Sequence, residues 1–242
     1  MNKKKFISKI DPRFLNGIAH RGLHNEEYTE NGLKAFKNAI DHDLAFEYDI
    51  HLTKDNELIV CHDEDLKRTT GKEGIIEDLS LKEIKDNYRL LDGGEIPTLQ
   101  EVLDLNQEKV PMVIELKVFR KNYKPLAAKA LEELKQIKDQ SKVMIISFDP
   151  RSLWPFKGKG FLRSLLVAKS DEYTWPFKCT VESVDLDQKL FDEKRVQRYY
   201  KHHFVNAWTI EKEEQLDKIL PFVDTVTFQH IDPELIKNKL HK

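Results

Sequence analysis

A (β/α)8 TIM barrel with a small insertion after its second strand is the fold class that this sequence predicts. Three observations carry the prediction. The chain has 242 residues, close to the ~250 that such barrels typically need. Eight short apolar runs rich in β-branched and aromatic residues alternate with helix-like patterns, the mark of a parallel sheet wound with crossover helices. A ninth run lies too close to its predecessor to join that parallel set.

The eight strand-like runs span residues 17–20, 44–50, 112–116, 143–148, 163–168, 181–186, 204–208 and 224–228. Helical periodicity fills 31–41, 99–105, 123–137, 188–202, 210–220 and 233–240. The additional run, 58–62, comes after the second strand with only Lys54-Asp-Asn-Glu57 between them. A parallel crossover needs a dozen or more residues, so this run returns antiparallel as a hairpin. Residues 52–95 then form an inserted cap within one domain spanning 1–242, and Ile96-Pro-Thr-Leu99 leads back into the second barrel helix. Thr98 with Glu101 three residues on has capping-box spacing.

Composition narrows the function classes. Hydrophobic residues make up 40% and charged residues 34% of the chain, an ordinary globular balance with enough apolar surface for a barrel core. Lys plus Arg total 40 against 42 Asp plus Glu, so no basic field points to nucleic acid. Lys3, Lys4 and Lys5 open the chain, but Ser8, Lys9, Asp11, Pro12 and Arg13 interrupt the next stretch, leaving no apolar signal segment. No run of about 18 apolar residues is present. The expectation is a cytoplasmic protein without an integral membrane segment, its Cys61 and Cys179 reduced.

Polar residues at strand ends define the candidate site. Glu47 and Asp49 lie two apart in the second strand and so share a face. Two carboxylates this close in an apolar wall repel unless a cation or proton separates them. Glu115 ends the third barrel strand, and a neighbouring parallel strand brings it beside them. Three oxygen ligands favour a hard divalent ion, Mg or Ca, over Zn. His20 and His62 end the first strand and the hairpin, and imidazoles titrate near neutrality, so one can accept a proton while the other donates. Arg21 and Lys117 supply positive charge for a phosphate's oxygens. A metal, an acid, a base and two cations are what phosphodiester cleavage requires.

A short echo, Trp154-Pro-Phe-Lys157 and Trp175-Pro-Phe-Lys178, comes after the fourth and fifth strands. Each aromatic pair either caps a loop against the barrel or forms an apolar rim that receives part of a substrate.

Taken in order, His20-Arg-Gly22, Glu30-Asn31 with Ala35-Phe36, Glu47-Tyr-Asp49, Leu52-Thr-Lys-Asp55, His62-Asp63 with Leu66-Lys-Arg-Thr-Thr70, Ile96-Pro-Thr-Leu99, Glu115-Leu-Lys117, Ser147-Phe148 and Trp208-Thr209 resemble the motifs of the glycerophosphodiester phosphodiesterases. The resemblance covers nearly the whole chain. It implies a barrel with an insertion after strand two, a divalent cation held by Glu47, Asp49 and Glu115, and acid and base roles for His20 and His62. It also implies a small-molecule glycerophosphodiester substrate, bound with the help of Arg21, Lys117 and Trp208 and cleaved to sn-glycerol 3-phosphate and an alcohol such as choline or ethanolamine. In such enzymes the glycerol 2-hydroxyl attacks phosphorus and water opens the resulting cyclic phosphate.

Two segments depart from the family pattern. The usual Pro-Glu-Asn-Thr reads Thr29-Glu-Asn-Gly32, and the last strand, which normally ends in an Ile-Thr-Asp type sequence before Pro, reads Thr227-Phe-Gln-His-Ile-Asp-Pro233. The second leaves head-group specificity open. Two further readings stand beside the first: a related barrel acting on lysophospholipids, and a catalytically silent barrel that binds glycerol phosphates.

Overall fold

The computed structural model describes residues 1–169 and 172–241. Its strands in chain order are β1 (Ile18–Ala19), β2 (Ala45–Leu52), β3 (Leu58–Val60), β4 (Met112–Leu116), β5 (Val143–Ser147), β6 (Leu162–Val167), β7 (Ser183–Asp187), β8 (Val205–Ile210) and β9 (Thr225–Phe228). Apart from β3, all pair in parallel with their neighbours, and β1 pairs with both β2 and β9. The result is a closed eight-stranded barrel with helices between strands, as the spacing predicts.

Period-two alternation sorts β2 into two jobs. Phe46, Tyr48 and Ile50 point outward under the helices, where Phe46 stacks on Phe36 of the helix Leu33–Asp41 with centroids 4.9 Å apart. Ala45, Glu47 and Asp49 point inward. β3 runs antiparallel to β2, with Ile50 opposite Val60 and Leu52 opposite Leu58, as the short connection requires. The segment after it carries the helices Lys67–Thr70 and Leu81–Asn87 over a small core that includes Ile59, Leu66, Ile76, Ile84 and Tyr88. Thr98 caps the helix Leu99–Asn106 in a reciprocal capping box with Glu101.

Several elements differ from the sequence reading. The pattern over 188–202 resolves into a 3-10 turn, Gln188–Leu190, and a helix, Lys194–Tyr200, and the pattern over 123–137 ends its α-helix at Glu133. The helix Lys3–Ile7 and the 3-10 turn Pro12–Asn16 are too short to show a period. They bring Phe6 and Phe14, both fully buried, against Ala45, Val113, Met144, Leu162 and Phe204 at the N-terminal end of the barrel. Phe6 stacks on Phe204 at 4.4 Å. Among the described residues no helix is long and apolar enough to cross a membrane.

Candidate active site

At the C-terminal ends of β2 and β4 the parallel register sets Asp49 directly beside Glu115. Glu47, one pleat earlier on the same face, completes the group, and each of the three offers an oxygen within 4.8 Å of the others. All three are buried. Burial, followed by the charges of Asp49 and Glu115, pushes the Glu47 carboxyl well above its ordinary range. Glu115 rises to about 7, chiefly through burial, with Lys117 opposing the rise and Asp49 adding to it. Burial also works against ionised Asp49, but Lys117, His62, Arg21 and a hydrogen bond from Asn31 outweigh it and hold this carboxylate low.

Two cations hem the group. Lys117, the residue after β4, places Nζ 2.9 Å from Glu115 Oε1 and 3.6 Å from Asp49 Oδ1. Arg21 donates its backbone N–H to Glu47 Oε2 at 3.0 Å, and its Nε lies 3.6 Å from Asp49 Oδ2. Arg21 adopts φ 54 and Gly22 φ 81, and a Cβ on Gly22 would come within 2.9 Å of Ala35. Glycine lets the chain turn this tightly beneath the helix, which aims the Arg21 N–H at the carboxylates. Asp49 Oδ1 has no hydrogen-bond partner despite complete burial. Buried acceptors are nearly always paired, so this orphaned oxygen among three converging carboxylates fits a hard, oxygen-seeking cation.

His20 and His62 approach the group from two sides. His20 comes directly after β1, donates its backbone N–H to Phe228 O, and is pushed down to about 3 by burial and then by Arg21, which leaves a neutral imidazole. His62 stands just past the hairpin, and its neighbour Cys61 donates its N–H to Asp49 O at 3.1 Å. Burial lowers the His62 ring as well, with Lys117 and Arg21 adding to that effect and Asp49 and Asp63 opposing it.

Sequence reasoning assigns no role to the residues that hold these groups. Asn31 Nδ2 donates to Asp49 Oδ2 at 2.9 Å. Glu30 accepts from Arg21 at 2.7 Å and from both terminal nitrogens of Arg68 at 2.8 Å. Arg68 also donates to Asp63 Oδ2 at 2.6 Å, and the other oxygen of Asp63 lies 2.6 Å from His62 Nδ1. A continuous charged chain therefore runs from Arg21 through the insertion to His62. Its signal in the sequence is confined to the motif positions Glu30-Asn31, Asp63 and Arg68, whose partners no local pattern reveals.

A cavity of about 150 Å³ is lined by His20, Arg21, Glu47, His62, Glu115 and Trp208, among others. Trp208 donates Nε1–H to Asp185 O at 3.0 Å and meets Phe148 edge-on at 5.7 Å, forming an aromatic wall. The Trp208–Thr209 peptide bond is cis. Glu115 and Phe148 also line an outer cleft of about 710 Å³ beside Lys117, Phe119 and Phe177. The structure thus gathers His20, Arg21, Glu47, Asp49, His62, Glu115, Lys117 and Trp208 at one mouth. The two Trp-Pro-Phe echoes are not equivalent. Trp154 is 63% exposed, Phe156 is buried, Trp175 packs against the core and Tyr199, and Phe177 alone of the four lines the cleft.

A glycerophosphodiester phosphodiesterase of Caldanaerobacter subterraneus subsp. tengcongensis is 31% identical over 239 residues, covering 93% of this chain and 97% of that protein. The structure of an Oleispira antarctica phosphodiesterase in complex with the product sn-glycerol-3-phosphate superposes with TM-score 0.79 at 25% identity, covering 93% of this chain and 96% of the other. A Thermotoga maritima glycerophosphodiester phosphodiesterase superposes with TM-score 0.72 at 28% identity, over 87% and 92%. The model of the glycerophosphoryl diester phosphodiesterase family matches residues 20–232, from the histidine at the end of β1 to the cap of the last helix, and the chain belongs to that family.

Proposed function

We propose that this glycerophosphodiester phosphodiesterase depends on a divalent ion held by Glu47, Asp49 and Glu115 and transfers protons through His20 and His62. The unpartnered Asp49 oxygen within three buried carboxylates carries the reading. An all-oxygen set fits Mg or Ca. When bound, the ion neutralises negative charge that builds on the phosphate in the transition state.

The side chains divide the remaining work. Arg21 and Lys117 present fixed positive charge to the phosphate's non-bridging oxygens, where water is excluded and such charge acts most strongly. One imidazole takes the proton of the attacking glycerol 2-hydroxyl, and the other gives a proton to the departing alcohol oxygen. Trp208 and Phe148 line the apolar side of the inner cavity. The outer cleft, contiguous through Glu115 and Phe148, gives the alcohol room to differ between substrates.

Release of glycerol 3-phosphate from glycerophosphocholine tests the proposal. Turnover stops in chelator and returns with Mg or Ca, and His20→Ala and His62→Ala each lower kcat by about 10²-fold or more while the protein stays folded. Full activity in chelator would overturn the metal assignment. Faster cleavage of lysophosphatidylcholine than of glycerophosphocholine would move the substrate to the lysophospholipids.

A further inference from the structure

The segment after β9, where the chain departs from the family pattern, places Gln229 between the site and the surface. Gln229 Oε1 lies 2.6 Å from His20 Nδ1, and Gln229 Nε2 donates to Glu211 Oε1 at 2.6 Å. Donor chemistry fixes both ends. The exposed Glu211 carboxylate accepts and does not donate, so the amide NH2 must face it and the amide oxygen must face His20. An amide oxygen accepts only, so His20 carries its proton on Nδ1 and keeps the Nε2 lone pair.

The amide is anchored as well as oriented. Gln229 donates its backbone N–H to Ile210 O at 3.0 Å, which ties it to the end of β8. Glu211 and Lys212 both donate backbone N–H groups to Gln215 Oε1, at 2.8 and 2.9 Å. His24 Nε2 approaches the same Gln229 oxygen at 3.4 Å. His62 has a different partner, the Asp63 carboxylate.

We propose that Gln229, oriented by Glu211, is a positioning residue that locks His20 as the Nδ1–H tautomer, making Nε2 the nitrogen that exchanges a proton with substrate. The inference rests on the reading of His20 as a proton-transfer group. It assigns work to a residue in a segment that the family pattern does not explain.

The test compares Gln229→Met, which keeps the length of the side chain and replaces the amide oxygen with a much weaker thioether acceptor, with a double exchange. Gln229→Met should lower kcat by about 10- to 100-fold, part of the ~10²- to 10⁴-fold that a placed proton-transfer group contributes, with KM changed less than about twofold. Combining Gln229→Glu with Glu211→Gln reverses donor and acceptor between the two positions but keeps an acceptor on Nδ1. It should restore kcat to within a few-fold of wild type and shift upward the limb of the pH–rate profile that His20 sets, acidic if it serves as base and basic if it serves as acid, because the carboxylate favours the imidazolium. The other charged groups facing His20, namely Arg21, Asp49 and Glu30, are unaltered, as is His24. Nitrogen-15 ring spectra should show Nδ1–H on His20 in wild type and a tautomer mixture in Gln229→Met. Wild-type kcat in Gln229→Met, or an unchanged ring spectrum, would overturn the inference. The spectrum reads the tautomer even in protein that turns nothing over, so failure of the enzymatic reading and failure of this one remain distinguishable.

Discussion

The two halves of the barrel interior handle buried polarity in opposite ways. On the side of β1, β2 and β4, three carboxylates face two cations and one carboxylate oxygen has no hydrogen-bond partner. On the side of β6 to β9 the inward polar groups mostly satisfy one another. Ser164 donates to Asp185 at 2.6 Å, and Asn206 donates to Asp185 at 3.0 Å and to Thr227 at 2.8 Å. Only one carboxyl sits in that network, and burial pushes it up to about 6. That half holds a single carboxyl among neutral partners, with Asn206 Oδ1 and Ser183 Oγ left without hydrogen bonds. The other concentrates like charge in low dielectric, which is costly unless a ligand or proton supplies what is missing.

The largest expected effect comes from removing a charge on the acidic side. Glu47→Gln should cut kcat by about 10³-fold or more, the several kcal/mol that a metal contributes to transition-state charge. It should also abolish the rise in melting temperature expected when Mg or Ca is added to the wild type, since an ion that binds the folded state stabilises it. In chelator the variant should melt no lower than wild type, since the substitution relieves repulsion. An undiminished thermal response to the ion would break the contrast between the halves.

An intermediate effect comes from protonation. Glu115 rises from 4.5 to about 7, so between those values the folded state holds a proton that the unfolded state has released. Stability therefore falls as pH rises through that window. Melting scans in chelator should show this decline, and a divalent ion should flatten it by taking the proton's place. A metal-free protein that gains stability across the same window would contradict the arrangement.

The smallest effect belongs to the side with a single carboxyl. Asp185→Asn removes its one ionisable group, and the new amide can donate to Asn206 Oδ1, which lacks a partner. Asp185 shifts from 3.8 to about 6, which bounds the gain in stability at pH 7 to about 3 kcal/mol. Denaturant unfolding should show a gain of this sign, with kcat within about threefold of wild type. A 100-fold loss of kcat would move Asp185 into the reaction.

How much of this was legible in the sequence depended on the kind of regularity involved. Glu47 and Asp49 stand out because period-two alternation sets both carboxylates on one face of β2, and β3 reads as antiparallel because four residues cannot make a crossover. The helix Lys3–Ile7 and the turn Pro12–Asn16 are invisible to periodicity because five residues do not complete two helical turns. The link from Glu30 to Arg68 joins residues 38 apart, a separation at which no periodicity operates. Gln229 is visible as a departure from a pattern, but its value lies in partners after β1 and after β8. Asp185 and Asn206 alternate correctly with apolar neighbours, yet only the closed barrel turns them toward each other.

The aromatic floor formed by Phe6, Phe14 and Phe204 has a consequence for traffic. Because, among the described residues, these rings and the aliphatic layer above them fill the barrel at its N-terminal end, the cavity opens toward the C-terminal mouth. Substrate and both products then pass through that mouth, so the order in which products leave is set at its rim.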